Sequence, residues 1–167
     1  MRNILRSRSG ERGLSLIELV MTVAILAILA SVVVPFTQMT VKRTKELELR
    51  RTLRVVRTAI DEFKKEYDKA KTDKKVQDVL NKSGYPENLT QLVEGYDFGG
   101  ALKYKKKFLR RIPVDPFNPS ASGEEPKWGL RSMADEPDSD TWGGEDVFDI
   151  YSLSEGTAID GTKYKDW

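Results

Sequence analysis

The stretch LSLIELVMTVAILAILASVVVP, residues 14–35, carries a single ionisable side chain, Glu18, among its 22 positions. As a helix it rises about 33 Å at about 1.5 Å per residue, enough to cross the hydrocarbon core of a bilayer. The 13 residues before it, MRNILRSRSGERG, hold Arg2, Arg6, Arg8 and Arg12 against Glu11 as their only acid. Basic residues stay on the cytoplasmic side, so residues 14–35 read as a single-pass membrane helix oriented N-in, with everything after Pro35 outside the cytoplasmic membrane. A secretory signal peptide cut among the small residues of 27–31, or a plain signal anchor, gives a similar profile. Glu18 argues against both. A carboxylate in an apolar span costs about 2.5–3.5 kcal/mol even on a lenient insertion scale, less near the span's end, and such a residue marks function by default.

Beyond Pro35 the pattern changes. Leu49, Leu53, Val56, Ile60, Phe63 and Tyr67 are spaced by 4, 3, 4, 3 and 4 residues, with Arg, Lys and Glu crowding the other faces. That spacing predicts an amphipathic continuation of the helix over 36–70, its stripe facing either the chain's own folded part or the same stalk of a neighbouring copy. Inside a helix, Pro35 denies the Ser31 carbonyl its amide partner and kinks the chain; the resumed periodicity favours such a kink over a helix end. Residues 71–75 form a polar break, 76–80 suit a further helical turn, and 87–94 suit a short helix ended by Gly95, Gly99 and Gly100. Partial alternation predicts strands over 127–133 and 147–153 and a short edge over 162–167, with long polar loops at 119–126 and 134–144. These elements permit an α+β fold, a long helix against a small antiparallel sheet.

Composition removes several function classes. Among 167 residues there is no Cys and no His. That excludes a disulfide framework and Ser-His or Cys-His nucleophiles, and disfavours ordinary zinc sites. Paired carboxylates lack a recognisable scaffold, so no enzymatic activity is expected. The net charge is only +2, but it is segregated: residues 115–167 hold 13 acidic against 4 basic side chains. The most basic run, KYKKKFLRR at 103–111, interleaves aromatics in a way that can hold nucleic acid strands. The domain as a whole is not basic, which favours a solvated surface or an acidic protein neighbour instead. This run could meet the acidic C-terminal third of another copy, pair with it within one chain, or face water separately.

Gly13-Leu14-Ser15-Leu16-Ile17-Glu18-Leu19-Val20 resembles the prepilin cleavage and methylation motif of type IV pilins and type II secretion pseudopilins. Leu14 stands where Phe is more frequent and Ser15 where Thr is common. The resemblance implies cleavage after Gly13 by a prepilin peptidase, N-methylation of Leu14, and pairing of the Glu18 carboxylate with the amino terminus of a subunit already in the filament. Pro35 also falls at a position the family shares. A second resemblance runs in patches through Tyr85-Pro86, Leu89, Leu92, Phe108-Leu109, Ile112-Pro113, Asp115-Pro116, the run 148–153, Asp160-Gly161 and Asp166-Trp167. These are similar to the core of the major pseudopilins, and the absence of Cys agrees.

The resemblance implies a cleaved leader (1–13), a transmembrane and filament-core helix (14–35), a stalk (36–70) and a periplasmic globular domain (71–167). The implied function is a major pseudopilin that leaves the bacterial inner membrane to build a helical homopolymer, the pseudopilus of type II secretion. Minor pseudopilins, the prepilin peptidase and an inner-membrane assembly platform are the implied partners. A type IV or competence pilin, whose fibre adheres or takes up DNA, is one rival; a membrane-anchored periplasmic binding domain that never polymerises is another. The resemblance further implies calcium in a loop near the C-terminus. Glu155 and Asp160 lie in the corresponding region, Asp135, Asp138 and Asp140 form a rival cluster, and hydrated acidic loops are the plain alternative.

Overall fold

A computed structural model describes residues 13–72, 83–121 and 123–167. Its elements in chain order are helix α1 (Leu16–Thr72), helix α2 (Thr90–Glu94), strands β1 (Gly129–Arg131) and β2 (Asp149–Tyr151), and a 3-10 helix (Tyr164–Asp166). The chain divides into two compact units, Met1–Val41 and Lys42–Trp167. The leader lies outside the described residues apart from Gly13, as does the helical turn expected at 76–80.

In the first unit α1 opens immediately after Ser15, whose hydroxyl accepts the Glu18 amide at 3.2 Å while its carbonyl accepts the Leu19 amide at 3.1 Å. Ser15 is thus the N-cap, and it relieves one of the amides that every helix start leaves unpaired. Further along, the Thr22 hydroxyl donates to the Leu19 carbonyl and that of Ser31 to the Ile28 carbonyl. The helix does not end at Pro35.

In the second unit the 4-3-4 stripe does what its spacing predicts. Leu49, Val56, Ile60 and Phe63 are fully buried and Leu53 and Tyr67 nearly so, packed with Leu92, Phe98, Val147, Ile150 and Tyr164 of the same chain. The stripe's partner is therefore its own folded domain. Burying such side chains contributes about 1.5–3 kcal/mol each, which is how a domain with one two-stranded sheet holds together. Phe63 is the hub, its ring 5.1 Å from that of Phe98, 5.3 Å from Phe108 and 5.8 Å from Tyr96. Gly84 lies where any Cβ would sit 2.3 Å from the Tyr67 ring, and its φ of +76 suits glycine.

Helix α2 starts later than the sequence suggests. The Asn88 side chain accepts the Gln91 amide and the Gln91 side chain accepts the Glu87 amide, each at 3.0 Å, which holds 87–89 as a turn. Leu92 is the residue that matters there, because its carbonyl accepts the amides of both Phe108 and Leu109 at 2.9 Å and ties the basic segment to the core.

Strands β1 and β2 form one antiparallel pair, Gly129 facing Tyr151, Leu130 facing Ile150 and Arg131 facing Asp149, inside the two expected segments but shorter. The third edge expected at 162–167 does not form. Lys163 makes one bridge to Thr157, and the chain then turns into the 3-10 helix. An extended strand sends residues 164 and 167 to opposite faces, whereas a 3-10 turn puts i and i+3 on the same side. Both aromatics use that side: Tyr164 stacks on Phe117 at 4.0 Å, and Trp167 meets Tyr164 edge-on at 5.2 Å.

Candidate functional site

The N-terminal site is built from few atoms. Gly13 and Leu14 precede the helix and are exposed, and open space surrounds the position a Cβ on Gly13 would take. The apolar side chains of the first turns are bare: Leu14 is 73% exposed and Leu16 81%. Ser15 and Glu18 together form an S-x-x-E helix start, with Glu18 at the third helical position, where the positive end of the helix dipole favours a carboxylate. Reading Glu18 only as an unpaired membrane charge misses this local role, although the spacing announces it. The internally bonded hydroxyls of Thr22 and Ser31 leave Glu18 as the one side chain between residues 14 and 31 with strong unmet polarity.

This arrangement of leader junction, capped helix start and apolar run has a counterpart. Residues 8–34 match the prokaryotic N-terminal methylation motif. The match supports placement in the type IV pilin-like superfamily, and with it processing at the leader junction and a membrane-anchored precursor. No curated protein and no solved structure matches the chain. Among the described residues no helix is long and apolar enough to cross a membrane. The side chains of residues 32–36, which complete the expected span, lie outside them.

The methylation motif covers the first unit; the second has a site of its own where the C-terminal segment is strapped to α1. Glu46 is buried and one of its carboxylate oxygens accepts both the Ile159 amide and the Tyr164 hydroxyl, each at 2.9 Å. Burial and this bond push the Tyr164 phenol up to about 12. Arg50 bonds Asp160 at 3.0 Å and lies 4.1 Å over the Trp167 ring. Arg57 grips the Asp149 carboxylate at 2.6 and 3.1 Å and also donates to the main-chain oxygens of Ile150 and Trp167. Glu46, Arg50 and Arg57 follow one another by 4 and 7 residues, one line of the helix beside the apolar stripe. That line was available in the sequence, but charged flanks ordinarily read as solvated.

The candidate calcium ligands are placed apart and individually engaged. Asp160 is held below the usual carboxylate range by the hydroxyl and amide of Thr162, then by Arg50. Amides of Ser132 and Gly143 do the same for Asp135, and Lys165 for Asp140. Among the described residues no three acidic side chains converge to hold a metal. Calcium needs about six to eight oxygens, so this donor set does not fit it as placed. A cleft of about 450 Å³ lies between these loops, lined by Tyr151, Leu153, Glu155 and Lys163, with the Asp140–Lys165 ion pair on its wall.

Lys106, in the run expected to face solvent or an acidic neighbour, bonds Glu66 at 3.0 Å, and the Tyr96–Lys106 bridge folds 96–106 back on itself.

Proposed function

We propose that this chain is a major pseudopilin: a precursor anchored N-in in the bacterial inner membrane, cut after Gly13, methylated on Leu14, and polymerised through residues 14–35 into the periplasmic pseudopilus of type II secretion. The observation that carries the reading is the methylation motif at residues 8–34 running directly into a bare apolar helix with Glu18 as its one charge. Once the leader is removed, Glu18 stands one helical turn from a new amino group. In the bilayer both charges are costly, and each neutralises the other's kind on a neighbouring subunit as the chain enters the filament. The Cys-free globular part and its pseudopilin-like patches favour this branch over a true pilin. Minor pseudopilins and an assembly platform belong to the same reading as proposals.

The S-x-x-E spacing also suits Glu18 to a capping box at the helix start, and one substitution separates that local use from assembly. Gln at the third helical position also completes a capping box but carries no charge. Glu18→Gln in the full-length chain, expressed with the secretion machinery, should be processed and inserted normally yet yield no fibres. Normal fibres from it would mean that the charge does not drive assembly.

A further inference from the structure

The filament reading leaves the second unit's charged surfaces without a use. Residues 103–111 hold six basic side chains and no acid, and residues 134–146 hold six acids and no base. Within the chain Lys106 pairs with Glu66 and Asp140 with Lys165. Lys103, Lys105 and Lys107 stay exposed and make no side-chain bond among the described residues, and Glu136 and Asp138 do likewise. Each run also presents apolar surface: Tyr104 is 69% exposed among the lysines, and Trp142 38% in the acidic loop.

Both surfaces are held in shape. The basic run is closed by the Tyr96–Lys106 bridge and by the bonds from Phe108 and Leu109 to Leu92. In the acidic loop, the Asp146 carbonyl accepts the Trp142 indole at 2.7 Å, and one Asp135 oxygen accepts the amides of Ser132 and Gly143. Their placement on α1 follows from two ion pairs. Arg57 bonds Asp149, three residues past the acidic loop, and Glu66 bonds Lys106 inside the basic run. Arg57 and Glu66 are about two and a half turns apart at 3.6 residues per turn, so they leave α1 from opposite sides. The two surfaces are therefore anchored on opposite flanks of the helix, Lys106 of one pairing with Glu66 and Asp140 of the other with Lys165 rather than with each other.

We propose that the basic surface around Tyr104 of one copy docks on the acidic loop 134–146 of the next. The inference rests on the polymerising function proposed above. Opposite charges on opposite flanks of the same fold make a heterologous contact, which extends from copy to copy wherever its rotation does not close a ring, whereas either surface paired with itself would set like charges together. Exposed pairs are individually weak, so the contact sets register and association rate, while the apolar helix supplies the bulk of the affinity.

The chain lacks Cys, so introduced thiols report without background. In full-length protein assembled by its machinery and treated with a flexible bis-maleimide, the paired Lys105→Cys/Glu136→Cys variant should give a ladder of oligomers, and neither single variant should cross-link. Fibres from the paired variant without a ladder, or dimers from a single variant, would overturn the contact while leaving polymerisation intact. Wild-type chain that forms no fibre at all would overturn the function proposed above and this contact with it. A charge swap guards against a misfolded pair. Lys105→Glu/Lys107→Glu alone, or Glu136→Lys/Asp138→Lys alone, should lower fibre yield about fivefold or more, and the four together should restore it. Equal loss in all three would refute the docking.

Discussion

Replacing Glu46 with Ala should be among the most damaging single changes outside the apolar core, and the structure gives the reason and the size. The carboxylate is 9% exposed, and its two acceptor bonds hold the Ile159 amide and the hydroxyl of Tyr164, itself 2% exposed. Ala removes the acceptor and leaves the buried Tyr164 hydroxyl unpaired, at about 1–3 kcal/mol, while the amide of half-exposed Ile159 loses a bond of about 0.5–1.5 kcal/mol, so a loss of about 1.5–4.5 kcal/mol follows. Domains of this class have about 5–15 kcal/mol in total, so the variant approaches the margin of folding. Tyr164→Phe takes away one donor and leaves Glu46 on the Ile159 amide, costing about 1.5–3 kcal/mol. The double variant should lose less than the sum, with a coupling of about 1–2 kcal/mol. Urea unfolding of the full-length chain in detergent, followed by tryptophan fluorescence, measures all three, and Trp167 lies near enough to Tyr164 to report the strap itself. Asp160→Ala is the contrast: its ion pair with Arg50 is half exposed on both sides and its bonds to Thr162 are exposed, so its loss should destabilise far less than Glu46→Ala. A Glu46→Ala variant within about 0.5 kcal/mol of wild type, the range of ordinary surface substitutions, would refute the reasoning.

The pH dependence has two limbs. The folded Tyr164 phenol keeps its proton to about 12 against 10.0 when free, so its contribution is intact below pH 10 and fades as pH climbs toward 12; Tyr164→Phe should flatten that limb of an unfolding titration. Asp135, Asp140 and Asp160 are all lowered from 3.8, so what they contribute is present above that pH and should disappear as acid is added below it. Gly84→Ala should cost at least about 1–3 kcal/mol, because the new methyl meets the buried Tyr67 ring in a left-handed backbone; a melting temperature equal to wild type would show that the ring moves aside freely.

What the sequence revealed, and what it hid, follows from what periodicity can encode. The stripe from Leu49 to Tyr67 was legible because a 4-3 spacing fixes one face of a helix regardless of what covers it. The paired strands were legible from alternation, but only their central three residues meet, since Gly129 must let the Tyr151 ring pass. The expected third edge failed because alternation is indifferent to whether Tyr164 and Trp167 need the same side. The strap from Glu46, Arg50 and Arg57 was invisible for a related reason: helical phase says which residues flank the apolar stripe, and only the tertiary fold says that residues about 100 positions later close over them. For Lys106 the sequence allowed solvent or an acidic neighbour, and only the fold names Glu66, 40 positions earlier. In the candidate site, Glu18 stood out by its cost and by the processing motif around it, while Ser15 was read only as part of that motif and not as the N-cap.

The central claim is that residues 14–35 are the processed, filament-forming start of the mature chain. Intact mass and N-terminal peptide mass spectrometry of the protein purified from cells that carry a prepilin peptidase test it most directly. The account predicts a chain that begins at Leu14 with one methyl group on its amino nitrogen. A mature protein that begins among residues 27–31 or later, with the apolar block gone, would contradict it.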